Sequence, residues 1–117
     1  MNASDLSTEL PLEAQQRPYI LRLDVLELTP SLIKARLVIS PDLFVQVYRN
    51  DRYDSTNLVL IHNQRRLYGR DRLGNSWHRH DILNPEAHDR SEEGKLAVSL
   101  SEFLNEVEAV LAELGLP

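Results

Sequence analysis

Residues 75–80, NSWHRH, hold the only Trp of the chain, two of its four His and an Arg. On a β-strand His78 and His80, two positions apart, would point to one face with their side chains about 6–7 Å apart, and Trp77 and Arg79 would share the other face. Imidazole titrates near neutral pH, so a close pair can divide base and acid work. Metal-independent RNA cleavage needs little more than that. A base takes the 2′-hydroxyl proton, an acid protonates the leaving 5′-oxygen, and a cation steadies the phosphorane. His78 and His80 are therefore the candidate catalytic pair. Arg49, Arg52, Arg70 and Arg79 are candidates to hold phosphate, since the guanidinium fork suits it. Tyr53, Tyr68 and Trp77 are candidates to stack on exposed bases. The same two imidazoles could instead sit on one metal ion. A zinc site would then need a third protein ligand, and the spacing selects none among His62, Asp71, Asp81 and His88. No metal ligand set is assigned and no cofactor is expected. The plainest alternative is that both histidines are hydrogen-bonded structural residues.

The charge pattern sharpens the choice. The 117 residues carry a net charge of −5, which argues against nucleic acid, but residues 49–80 carry seven Arg against three Asp, and the rest of the chain is strongly acidic. Such asymmetry suits a protein with one anion-facing surface. It also suits a solvated sheet rim whose Arg stems cover apolar area.

These residues have to be positioned by strands. YILRLDVLEL (19–28) alternates until its apolar phase slips at Leu26 and Leu28, as at a bulge or a strand end. After the turn TPS, LIKARLVIS (32–40) alternates again and completes a hairpin. LFVQVYR (43–49), TNLVLIH (56–62), RRLYGR (65–70) and SWHRHDI (76–82) read as further strands. They are joined by turns short enough to make neighbours antiparallel. DRLGN (71–75) reads as a turn, with Asp71 in a turn position, and Gly69 as a bulge or a close backbone approach. Residues 84–94 read as a polar loop. Ser99 three before Glu102 is a capping box, and apolar residues from Leu100 to Leu114 recur at helical spacing before Gly115. The expected fold class is α+β: a curved antiparallel sheet of five to six strands in a meander, packed against a C-terminal helix in two layers. Residues 1–18 are expected to be a flexible leader or short helix, and 19–117 a single domain.

RNDRYD, followed by LVLIHNQRRLYGRDRLGNSWHRH, resembles the TumE family of small bacterial and archaeal toxin–antitoxin proteins. The Arg-Tyr element of that family is matched by Arg52 and Tyr53, its aspartate motif by Arg70-Asp71, and its His-rich segment by His78 and His80. Arg72 stands where the family usually has Asn. The resemblance covers about a third of the chain and implies a toxin that interferes with RNA or translation, with ribonuclease activity as the expected form. It also implies a cognate antitoxin partner.

With no Cys, a disulfide framework, a thiolate metal site and a cysteine nucleophile are excluded. No apolar run approaches the ~20 residues of a membrane span, and the first residues lack the pattern of a signal peptide. A cytoplasmic protein without membrane contact is expected, with RNA and the antitoxin as partners. Exposed edge strands would suit a homodimer. Beside the enzyme reading stand a non-catalytic RNA- or protein-binding module and a small metal-dependent protein using His78 and His80 as ligands.

Overall fold

The computed structural model describes residues 1–74, 76–81 and 96–117. The expected loop 84–94 with His88, and also Asn75 and Ile82, lie outside the described residues. The elements follow in the order α1 (Ala3–Gln16), β1 (Arg22–Thr29), β2 (Leu32–Ser40), β3 (Leu43–Asn50), β4 (Ser55–His62), β5 (Arg65–Leu73), β6 (Ser76–His80) and α2 (Leu100–Leu114). Among the described residues six strands form one open antiparallel sheet in sequence order, a meander, and the helices make it an α+β fold.

One face of the sheet is the core. Ile33, Ala35 and Leu37 of β2, Val45 and Val47 of β3, Leu58 and Leu60 of β4, Tyr68 of β5 and Trp77 of β6 are buried there against both helices. Helix α2 buries Leu100, Phe103, Leu104, Val107, Val110 and Leu111. Each such side chain contributes about 1.5–3 kcal/mol of transfer free energy. The Phe103 ring stacks on Tyr68, with centroids 5.9 Å apart. The helix starts on the expected capping box, Ser99 with Glu102, and stops at Gly115, whose φ of 68° suits a residue without a Cβ.

Residues 3–16 form a full helix. Asn2 caps it by accepting from the Asp5 N–H at 2.7 Å, and the Ala3 N–H reaches the Asp51 carboxylate at 3.1 Å. Ala3, Leu6 and Leu10 form the buried stripe, although Pro11 lies inside the helix. Helix α1 packs against β2 and β1 and also touches α2.

Among the described residues three register shifts break the ladder. In β1 it falls between Val25 and Glu27, where the apolar phase slips in the sequence. In β2 it leaves Ile39 unpaired. In β5 it leaves Leu67 unpaired between Arg66 and Tyr68. Strand β5 also runs on through Asp71–Leu73, the residues read as a turn, because they pair with Ser55–Asn57 on one side and Ser76–His78 on the other. Gly69 is a close approach: a Cβ there would stand 3.0 Å from the Leu58 carbonyl oxygen.

Candidate functional site: an acid–base cluster on the open sheet face

The second face of the sheet carries neither helix. Strand alternation places Lys34, Arg36, Phe44, Gln46, Tyr48, Asn57, Val59, Asp71, His78 and His80 on it. Side chains at Asp71 and His78 are direct cross-strand partners, as are Asn57 and Asp71. The chemistry-bearing groups thus sit in one row across β4, β5 and β6.

His80 is 2% exposed. Its Nε2 lies 2.9 Å from Asp71 Oδ2, and its Nδ1 lies 3.2 Å from an Arg66 guanidinium nitrogen. A guanidinium only donates, so Nδ1 accepts and Nε2 carries the proton given to Asp71. Arg66 reaches this position because of the bulge at Leu67. Without it, residues 66 and 68 would share a face, and Tyr68 is on the core side.

His78 is half-buried. Its Nδ1 faces Asp71 Oδ1 at 3.7 Å, and its Nε2 lies 3.2 Å from Ser76 Oγ. Asp71 therefore stands between the two histidines, hydrogen-bonded to His80 and facing His78. Two acceptor atoms of the row, Asp71 Oδ1 and Asn57 Oδ1, are buried without a hydrogen-bond partner among the described residues. Buried acceptors are ordinarily satisfied, and leaving one without a donor costs about 1–3 kcal/mol. Both atoms are closed to solvent as the side chains stand, so an external donor would reach either only after that side chain turns toward the cavity. A cavity of about 230 Å³ opens here, lined by Asn57, Asp71, His78 and residues around them.

The cations expected to hold phosphate are elsewhere. Arg49, Arg70 and Arg79 project from the opposite face, as does Trp77, which is buried in the core. Arg49 is ion-paired to Asp51 and Asp54, both at 2.9 Å, and donates to Thr56 at 3.1 Å. Arg70 is clamped on α2 by Glu106, at 3.0 and 2.9 Å, and Tyr68 donates to the same carboxylate at 2.5 Å. Burial alone would lower the Arg70 pKa, but the Glu106 carboxylate outweighs it and raises it. Burial, followed by the Glu106 hydrogen bond, pushes the Tyr68 phenol above the ordinary tyrosine range. Arg79 lies 3.6 Å from Asp81. Arg52 and Tyr53 are in the exposed β3–β4 turn, beside a separate recess formed with residues 29–32 and Asn50. His62 faces Asp42 at 3.9 Å, at the opposite end of the strands from Asp71.

Among the described strand residues, the cations that share the histidine face are Lys34, Arg36, Arg66 and, on the edge strand, Arg22, which is ion-paired to Asp24. Arg36 lies over the Phe44 ring, 4.5 Å from its centroid. Sequence reasoning named Asp71 only as a turn residue, a possible third metal ligand and part of the resembled family's aspartate motif, and passed over Arg66, Asn57 and Tyr48. Asp71 was within reach, because a two-residue turn at 74–75 pairs residue 73 with 76 and so 71 with 78. Arg66 was not, because the bulge that turns it outward has no distinctive residue.

Among the described residues no group of three or more His, Asp or Glu side chains is arranged to hold a metal ion. No described helix is long and apolar enough to cross a membrane. No family model, curated protein or solved structure matches this chain.

Proposed function

We propose that this chain is the toxin component of a toxin–antitoxin pair and that it acts on RNA, with His78 as the group that exchanges a proton with substrate. The observation that carries the reading is the order His80–Asp71–His78 on the open face. A base oriented by a carboxylate, itself held by a third group, is the recurring arrangement of proton-transfer sites. The resemblance across residues 49–80 supplies the toxin class.

The two histidines have different work. His80 is enclosed and both its ring nitrogens are engaged, so it positions Asp71. His78, half-buried at the mouth of the cavity, meets the ribose. His78 takes the 2′-hydroxyl proton and the 2′-oxygen bonds to phosphorus. The bond from phosphorus to the 5′-oxygen breaks, leaving a 2′,3′-cyclic phosphate and a 5′-hydroxyl whose proton comes from water. Lys34 and Arg66 supply positive charge on the same face.

Purified protein incubated with total RNA, with and without EDTA, tests this. Cleavage should survive EDTA and fall by about 10²–10⁴-fold in His78→Ala, the range for loss of a general base. Undiminished cleavage by His78→Ala would sink the mechanism. Cleavage abolished by EDTA would replace it with a metal-dependent one. No cleavage by the native chain would leave a binding module without turnover.

A further inference from the structure

Next to the histidine row, toward the middle of the open face, lies a recess of about 370 Å³, two of whose lining residues, Lys34 and Arg66, supply charge to the proposed cleavage while the rest have no part in it. Its lining is specific in kind. Val59 and Ile61 give it apolar surface, Tyr48 an aromatic ring, Lys34 and Arg66 two cations, and Asn57 an amide. The Tyr48 hydroxyl accepts from Asn50 Nδ2 at 3.3 Å, which restrains the ring. Asn57 stands directly between Tyr48 on β3 and Asp71 on β5, and its Oδ1 is one of the two buried acceptors without a donor.

We infer that this recess holds one unpaired nucleobase of single-stranded RNA, stacked on Tyr48 and donating an N–H to the Asn57 amide oxygen once that amide turns into the recess, with the flanking phosphates drawn to Lys34 and Arg66. This rests on the RNA reading above and names the form of RNA. A ligand that fits must have a flat apolar face, an N–H donor at its edge and an anionic backbone. A nucleotide has all three. Every base carries an N–H donor on its Watson–Crick edge, and that edge is free only when the base is unpaired. Neighbouring strands are about 5 Å apart, so a base at Asn57 brings its own sugar-phosphate to Asp71 and His78. Stacking and charge together are the usual means of gripping single strands without strong sequence preference.

The test measures binding apart from cleavage, by anisotropy of a labelled single-stranded RNA oligonucleotide of mixed sequence in the His78→Ala background. Tyr48→Ala and Asn57→Leu should each weaken binding by roughly tenfold, and Tyr48→Phe should bind near the parent value. Lys34→Ala should lower the slope of log affinity against log salt by about 1. A duplex of the same sequence should compete poorly. Asn57→Leu separates a binding role from a structural one. Removing a buried acceptor that has no donor should raise the melting temperature while affinity falls. Unchanged affinity in both Tyr48→Ala and Asn57→Leu overturns the inference, as does equal competition by duplex. If the native chain cuts RNA, and Tyr48→Ala and Asn57→Leu cut normally with His78 intact and bind normally in the His78→Ala background, the inference fails and the catalytic reading stands. If nothing is cut but the variants lose single-strand binding, the catalytic reading fails and the inference stands.

Discussion

His80 is enclosed, hydrogen-bonded to Asp71 and Arg66, whereas the His78 side chain is partly exposed beside Ser76, and the two should respond differently to removal. His78→Ala should lose rate with little change in stability, its side chain being partly exposed. His80→Ala strips partners from both Asp71 and Arg66 inside a closed site, and should destabilise the fold by about 2 kcal/mol as well as slow any reaction. Thermal melts beside the cleavage assay check both. Equal melting temperatures for the two variants would contradict the division of roles. At this scale the sequence was informative about identity and poor on direction. The i, i+2 spacing of His78 and His80 is enough to place them on one face of any strand. The arginines were chosen by type alone, and type does not say that Arg49 and Arg70 are held by Asp51, Asp54 and Glu106.

Among the elements, α2 was the most legible, because capping box, apolar stripe and terminal glycine all agree. Helix α1 was legible only as one of two alternatives, a short helix or a flexible leader, because Pro11 argues against a helix interior and the stripe of Ala3, Leu6 and Leu10 is short. Tertiary contact decided the matter: the stripe is fully buried and Asp51 receives the Ala3 N–H. Pro11 itself is exposed, and in a regular helix its position would donate to the Ser7 carbonyl. Pro11→Ala should therefore restore that hydrogen bond without losing packing, and raise stability by about 1–3 kcal/mol, less whatever proline saves in unfolded-chain entropy. A denaturant titration that shows a lower midpoint would mean that Pro11 makes a contribution to the folded state beyond its backbone. Strand boundaries failed at β5, where Asp71–Leu73 have turn-like residue types but are held in the ladder by neighbours on both sides.

For the molecule as a whole, the excess of arginine in residues 49–80 looked like one anion-facing surface, but the sheet divides it. Arg49, Arg70 and Arg79 go to the helix side and meet carboxylates there, while Arg66 goes to the open side with Lys34 and Arg36 from β2. Linear charge counting cannot see this, since period-two alternation and one bulge decide each side chain's face. The Glu106 cluster also joins the helix layer to the sheet. Glu106→Ala should cost about 3 kcal/mol by removing the carboxylate that compensates the enclosed Arg70. A double-mutant cycle with Arg70→Met measures the coupling, and a coupling near zero would show that the ion pair does not tie the layers.

The division of arginines between two faces bears on how genetics of this protein would read. Under the proposed function, a selection for cells that survive expression would return lesions at Arg49, Arg70, Trp77 and Glu106 as readily as at His78 or Asp71, because a chain that does not fold is as harmless as one that does not react. Hits at positions pointing to the helices report on how much folded protein accumulates. Hits at positions pointing to the open face, the enclosed His80 apart, report on what that protein does. Sorting survivors by abundance, with those that remain plentiful and soluble kept apart, would trace the working surface from genotype alone.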